Sequence, residues 1–504
     1  MSFFKSKRLE NEFKNFNAWK SLMGLILTIG IAVIIKQVLL PDSVENFGAW
    51  STLPALFLIV YIFVTKRIIE ALFLATFVGW IMCVQPGENV LTVFNETFLE
   101  TMQTGSDACW LIIVCGGMGG IIALIERSGG AYAFGEWAAK RAKTEKAALM
   151  WTWFLGVIIF IDDYLNSCTV GSCMANITDR YRTPREMLAY IADSTAAPLC
   201  VIVPFTTWGV FAGKIMIDSG WAEGQTTPVS AFITTIPYNF YGWIAAILVP
   251  LVIFRVVPIF GPMKKAYERT SSGGPLAPEG SEKISILSSD KEDVEKPENP
   301  NVLNFFLPII VLVGTTIIAG TEMQIGVACA IIFMLVVYPA QGIMTANDFW
   351  DVFIKGIQNM TLPLLLMVAA FEFGTMNEQI GFTRWCIDTG AAHMTAATAP
   401  LCIFLILACT EFITGTNWGM YIIALPIVIP LAYQLGCNVP LLTAACLSAG
   451  VFGSHVCFYS DATVITSAAC GCDNFRHAIT QMPYGFIAAG ASAILFAVMG
   501  FIMA

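Results

Sequence analysis

Four short polar stretches interrupt apolar runs that are otherwise long enough to cross a bilayer, and this pattern restricts the chain more than any other feature. The first is Ile161-Asp162-Asp163-Tyr164-Leu165-Asn166-Ser167-Cys168-Thr169, and the second is Asp193-Ser194-Thr195-Ala196-Ala197-Pro198. The third runs from Glu411 to Gly419 through Thr414, Thr416, Asn417 and Trp418, and the fourth is Ser460-Asp461-Ala462-Thr463. In hydrocarbon an unwound backbone leaves N–H and C=O groups unsatisfied. Such a break is tolerated only where it is buried in protein or lines a cavity. A buried carboxylate adds about 2.5–3.5 kcal/mol on insertion scales and so needs a partner or a role.

The rest of the chain fits a polytopic membrane protein. Only 12% of its 504 residues are charged and 57% are hydrophobic, with a mean hydropathy of +0.71. Soluble domains carry about 25% charged residues, so soluble, disordered and collagen-like classes are excluded. Apolar runs of this length indicate helices rather than barrel strands, which would alternate in polarity. Continuous spans are read at 21–40, 50–64, 67–84, 107–127, 237–261, 302–320, 324–340, 361–380 and 479–504, and interrupted spans at 185–217 and 440–474. Residues 146–180 and 398–436 read as re-entrant hairpins, and 90–105, 130–144, 346–359 and 382–396 as amphipathic segments along the interface. The fold class is therefore all-α, with about eleven transmembrane helices plus two re-entrant hairpins. The N-terminus shows no cleavable signal, because its first apolar run is long enough to span and lacks a small-residue cleavage site. Seven of the 15 cysteines, Cys109, Cys115, Cys168, Cys329, Cys402, Cys409 and Cys446, sit in apolar runs as small packing residues, and Cys470-Gly471-Cys472 is too short a cluster for a metal site.

Basic residues set the orientation. With a cytoplasmic N-terminus and alternating spans, all but three of the 27 Lys and Arg residues fall inside, the exceptions being Lys36, Lys214 and Arg384. The C-terminus then lies outside. The order of parts repeats: residues 1–49 form a tail and first helix, 50–261 a first unit, 262–301 a flexible charged cytoplasmic linker, and 302–504 a second unit. Gly130 and Gly381, and Asn166 and Asn417, mark the same register in the two units. An odd number of crossings per unit turns the second upside down, the layout of secondary transporters.

Carboxylate, amide and hydroxyl oxygens beside free carbonyls make a cage for a small hard cation, and a carboxylate can take a proton instead. The competing reading is that Asp193, Ser194, Thr414, Ser460 and Asp461 simply cap half-helices. Asp193 lies about 12 Å along its helix from Arg185, near mid-depth. Asp163 is preferred to its neighbour Asp162, with which it cannot share a helix face. Glu372 and Glu411 are further acids at membrane depth. Trp208 and Trp418 read as packing anchors, and His455 is the only histidine near an interrupted span. No basic side chain is placed at mid-depth, which favours a cation as the primary substrate.

Asp162-Asp163-Tyr164-Leu165-Asn166, Ile177-Thr178-Asp179-Arg180, Arg185-Glu186-Met187-Leu188-Ala189-Tyr190-Ile191 and Asp193-Ser194-Thr195-Ala196-Ala197-Pro198 resemble the signature region of the NhaC family of Na+/H+ antiporters. Gly415-Thr416-Asn417 and Ser460-Asp461-Ala462-Thr463 extend the resemblance into the second unit. It implies membership of the ion transporter superfamily, with a scaffold and a mobile transport domain working as an elevator within a homodimer. It also implies two sodium sites. The first comprises Asn166, Thr169, Asp193, Ser194 and Thr195, and the second Thr416, Asn417, Asp461 and Thr463.

The leading functional expectation is exchange of Na+ for H+ across the cytoplasmic (inner) membrane. Na+-coupled movement of a small organic acid or amino acid on the same fold is the alternative. No His-Glu-x-x-His, Gly-x-Ser-x-Gly or phosphate-binding glycine loop is present, which argues against an enzyme or an ATP-driven pump. Fourfold pore loops are also absent, against a channel. Na+ and H+ are the ions expected, with no cofactor and no nucleic acid; the expected partners are membrane lipid and a second copy of the chain.

Overall fold

The computed structural model describes residues 18–34, 47–65, 68–84, 88–103, 116–130, 141–225, 227–281, 301–320, 322–359, 372–377, 379–414, 417–457 and 460–504, with isolated positions at 36, 114, 133, 137, 361 and 369. Among the described residues all regular structure is helical. The first helices are α1 (Ala18–Ile34), α2 (Leu53–Thr65), α3 (Ile68–Cys83), α4 (Val90–Gln103) and α5 (Gly117–Arg127). The first hairpin follows as α6 (Glu145–Ile158) and α7 (Asp163–Asp179), then the first interrupted span as α8 (Arg185–Ser194), α9 (Ala197–Cys200) and α10 (Thr207–Asp218). After α11 (Pro228–Thr235), α12 (Phe240–Ile253) and α13 (Gly261–Ser271) come α14 (Leu303–Ile318), α15 (Met323–Ala340), α16 (Ala346–Asn359) and α17 (Phe382–His393). The second hairpin is α18 (Ala399–Thr414) and α19 (Asn417–Leu435), and the second interrupted span is α20 (Val439–Val456) and α21 (Asp461–Cys470). The chain closes with α22 (Asn474–Ile502).

Three of these helices, α15, α20 and α22, are long and apolar enough to cross a membrane by themselves, and α11 with the turn after it joins α12 at 61° as a bent fourth. The remaining apolar helices are shorter, and the expected spans 107–127 and 361–380 lie largely outside the described residues. Helices end at or beside each polar stretch: α6 at Ile158 and α7 from Asp163, α8 at Ser194, α18 at Thr414 and α19 from Asn417, α20 at Val456 and α21 from Asp461.

The chain divides into two compact units, residues 1–108 with 365–390, and residues 109–364 with 391–504. In the first, α3 packs against α1, α2 and α4. There the Phe47 N–H donates to the Ile380 carbonyl (3.4 Å), and Met376 fills the space left by Gly79. In the second, α7 packs against α6, α8 and α21, while α19 packs against α20 and α10. Each hairpin's second arm thus meets the first half of its own interrupted span and the second half of the other. Lipid is as apolar as leucine, so helices in a membrane hold together through close packing at small residues. Here a Cβ on Gly171 of α7 would lie 2.9 Å from the Ala469 backbone of α21. Gly453 of α20 leaves room for Glu411 of α18, which is fully buried.

The linker expected to be flexible over 262–301 is ordered over its first part. Met263, Ala266 and Thr270 form the buried face of α13, and that face docks the helix. Arg269 Nη1 and Nη2 each donate to a Glu186 carboxylate oxygen at 2.8 Å. Arg182 donates to the Thr270 and Gly274 carbonyls (3.0 and 2.6 Å), and the Asp473 N–H donates to Ser281 Oγ (2.9 Å). Residues 282–300 lie outside the described residues.

Candidate functional site

Both interruptions arise from local sequence. The first comes where Thr195 ends α8 and Pro198, which has no N–H, sits in the first turn of α9. The second comes where Cys457 is extended and Ser460 caps α21, its hydroxyl accepting from the Thr463 N–H at 3.2 Å. The Ser460 and Thr463 hydroxyls both turn back to donate to the Ser454 carbonyl, Thr463 at 3.0 Å. The Ser454 carbonyl, freed at the end of α20, is thereby satisfied.

At the first hairpin's tip both aspartates are buried and engaged with α10. Asp162 accepts from the Thr207 hydroxyl (3.0 Å) and the Tyr164 N–H (3.1 Å), and Asp163 accepts from the Trp208 indole N–H (3.2 Å). Trp208 in turn meets Tyr421 edge-on at 6.0 Å, as a packing anchor. One turn further on, the Asn166 amide nitrogen serves three carbonyls, of Gly156 (2.6 Å), Ile159 (2.9 Å) and Thr195 (2.7 Å). It stitches the hairpin's turn to the break after α8, while its own oxygen is buried without a hydrogen-bond partner. Thr169, three residues along the same face, is buried, and the Ser167 hydroxyl accepts from Thr466 of α21 at 2.7 Å. The Thr195 hydroxyl donates back to the Ile191 and Ala192 carbonyls (2.9 and 3.2 Å) and so caps its own helix.

Asp193, the penultimate residue of α8, has no exposed surface. Its Oδ2 lies 3.1 Å from His477 Nε2 and accepts from the Gln481 amide at 2.7 Å, both on α22. Its Oδ1 has no hydrogen-bond partner. Ser194 Oγ lies 2.9 Å from His455 Nε2, and the Tyr241 hydroxyl lies 2.7 Å from His455 Nδ1. The Gln481 amide also donates to the His455 carbonyl.

The structure therefore brings Asn166, Asp193, Ser194 and Thr195 together at one break and places Thr463 at the other. Thr416 lies outside the described residues. Asn417 and Asp461 begin α19 and α21, but their side chains also lie outside what is described. The reading of His455 as the only histidine near an interruption is corrected. His477 contacts Asp193 directly, because the closing helix starts at Asn474 rather than 479. The overlooked signal was His477 and Gln481 four residues apart, which puts two polar side chains on one face of an apolar helix. Among the described residues no group of three or more His, Cys, Asp or Glu is arranged to hold a metal. A cation here would instead take amide, hydroxyl, carbonyl and single-carboxylate oxygens.

Comparison with known proteins agrees with this architecture. The fold is similar to that of the Alcanivorax borkumensis YdaH transporter, with a TM-score of 0.52 at 13% identity over 89% of this chain and 98% of that one. A Haemophilus influenzae protein described as uncharacterized is 27% identical over 418 residues, 76% of this chain and 77% of its own length. The Bacillus subtilis malate-2H+/Na+-lactate antiporter is 27% identical over 155 residues, 31% of this chain and 33% of that protein. A sequence model of the Na+/H+ antiporter family matches residues 199–501. The protein is a multi-pass membrane transporter of the secondary type, and it belongs to the Na+/H+ antiporter family.

Proposed function

We propose that the protein exchanges Na+ for H+ across the cytoplasmic membrane by alternating access. The observation that carries this reading is Asp193, fully buried at a helix break, with one carboxylate oxygen held by α22 and the other without a partner. A carboxylate so placed takes either a sodium ion or a proton, and competition for one group is the minimal basis of exchange. Asn166, whose oxygen is also without a partner, and the unwound backbone at Thr195 supply further hard oxygen ligands, with Thr169 and Ser194 flanking them. Asp163 sits beyond these at the hairpin tip and supports their placement through Trp208. The family resemblance assigns a second sodium site to Thr416, Asn417, Asp461 and Thr463, of which only the Thr463 side chain is among those described.

The crossed packing of the two hairpins supports inverted repeats over 50–261 and 302–504. We place Arg185, Arg255 and Arg269, paired with Asp179, Glu145 and Glu186, and Arg182, which donates to the Thr270 and Gly274 carbonyls, on the cytoplasmic side. The N-terminus is then inside and the C-terminus outside, and the protein works as an elevator within a homodimer.

The test uses purified protein in sealed liposomes carrying an internal pH dye, with a sodium gradient imposed across the membrane. Sodium alone should drive proton movement. Asp193→Asn and Asp461→Asn should each abolish it while leaving the folded yield unchanged, and full activity in both mutants would return these aspartates to capping. The similarity to a malate–lactate antiporter supports a second reading, in which an organic anion moves with sodium. A response that appears only after adding a hydroxy acid or amino acid would establish that reading instead.

A further inference from the structure

We propose that His477 and Gln481 are positioning residues that make Asp193 a one-oxygen cation ligand, fixing its carboxylate so that Oδ1 alone faces the ion. The inference deepens the reading of Asp193 as a cation ligand and rests on it. Each carboxylate oxygen offers about two lone-pair positions. At Asp193 both donors converge on Oδ2, the Gln481 amide at 2.7 Å and His477 Nε2 at 3.1 Å, and Oδ1 receives none. Were the two side chains there only to satisfy a buried carboxylate, one donor on each oxygen would serve better, because a bare buried acceptor is costly. The crowding of one oxygen therefore points to a task for the other.

Both donors come from one element. His477 and Gln481 are fully buried and share a face of α22, a single helix of 29 residues. Besides Asp193, their side chains hold only the His455 carbonyl, to which the Gln481 amide also donates; His477 Nδ1 and Gln481 Oε1 have no partner. That anchor is itself fixed, since the His455 ring sits between Ser194 Oγ (2.9 Å) and the Tyr241 hydroxyl (2.7 Å). With its amide set from behind, Gln481 holds Oδ2 in one direction. A turn of the carboxylate about its Cβ–Cγ bond breaks both hydrogen bonds at once, so an arriving cation meets a single preset oxygen. Two residues on, the Thr195 carbonyl holds the amide nitrogen of Asn166, whose oxygen is likewise without a partner. In both side chains the head group is pinned through one atom and its other oxygen is left open, which lowers the ordering cost of binding an ion.

Sodium binding to the purified full-length protein, measured by calorimetry, and sodium-driven proton movement in liposomes test this together. Gln481→Met keeps the side chain's length without donors. It should raise the half-saturating sodium concentration about tenfold in both assays, as for a lost hydrogen bond to a charged group. The maximal rate should change by less than about twofold, because ion binding rather than the transport step is altered. His477→Phe keeps a ring without a donor and should shift half-saturation in the same way, so it carries the test if Gln481→Met does not fold. His477→Gln restores a donor toward Asp193 and should bring half-saturation back to within about threefold of the wild type. Unchanged half-saturation in the donor-free variants, a loss confined to maximal rate, or no rescue by His477→Gln would each overturn the positioning role and leave the exchange reading intact. A wild-type protein that binds no sodium would overturn both. Sodium binding that weakens as expected, in a protein whose wild type moves no protons, would overturn the exchange reading and leave the positioning role standing.

Discussion

Asn166 shows how much of this architecture hangs on one side chain. The two hydrogens of its amide nitrogen are shared among three carbonyls at the hairpin turn and the break after α8. Replacing it by leucine keeps the volume and removes every donor. Asn166→Leu should destabilise the folded protein by at least about 3 kcal/mol, since each of the three buried acceptors left unsatisfied costs about 1–3 kcal/mol. Thermal unfolding in detergent checks this, and an unchanged midpoint would mean the carbonyls find other donors. Sequence reading singled out Asn166 and Asp193, because polar residues inside apolar runs stand out by composition alone. It passed over His477 and Gln481 because a polar residue near a helix start has an ordinary explanation in the interface. Their role depends on which helix lies opposite, and nothing within α22 specifies that.

Hairpins and interrupted helices were legible as elements because each has a local cause. Pro198, the Ser460 cap and the left-handed Gly471 after α21 stop helices wherever they occur. Less legible was which elements meet. Gly171 reads as a minor weakness in a helix, yet it lets α7 approach the backbone of α21. Gly171→Val should force these helices apart and destabilise the protein by about 1–3 kcal/mol, the usual penalty of overpacking. Because Ser167 of α7 holds Thr466 of α21, sodium affinity should fall as well, and an unaltered sodium dependence would show that this contact is not part of the site's support. The linker was misjudged at this same scale. Its Gly and Ser content and mixed charge describe a solvated tether, whereas the three buried positions on α13 give it a docking face.

At the scale of the whole molecule, the docked segment 261–281 ties together α8, the end of α7 and the start of α22. Arg269 anchors it, and hydrogen bonding to Glu186 holds its guanidinium above the ordinary arginine pKa. A raised pKa of a base contributes stability that is fully present below the ordinary value and lost only as pH rises through the raised one, so the anchor stays closed throughout the physiological range. Arg269→Gln leaves the nearly buried Glu186 without its cation, for a loss of about 2 kcal/mol. Limited proteolysis should then cut within 261–281 far faster than in the wild type, and equal rates would show that the docking does not depend on this pair. The sequence by itself determined that the chain crosses a membrane, where its helices break and which acids lie inside apolar runs. All three follow from transfer free energies and backbone chemistry that act within a few residues. Only the tertiary structure decided that α22 supplies the partners of Asp193, that the two hairpins pack crosswise and that half the linker is docked. These depend on groups up to 288 residues apart in the chain, as Asp193 and Gln481 are, and shape complementarity over such separations leaves no periodic trace in a single sequence.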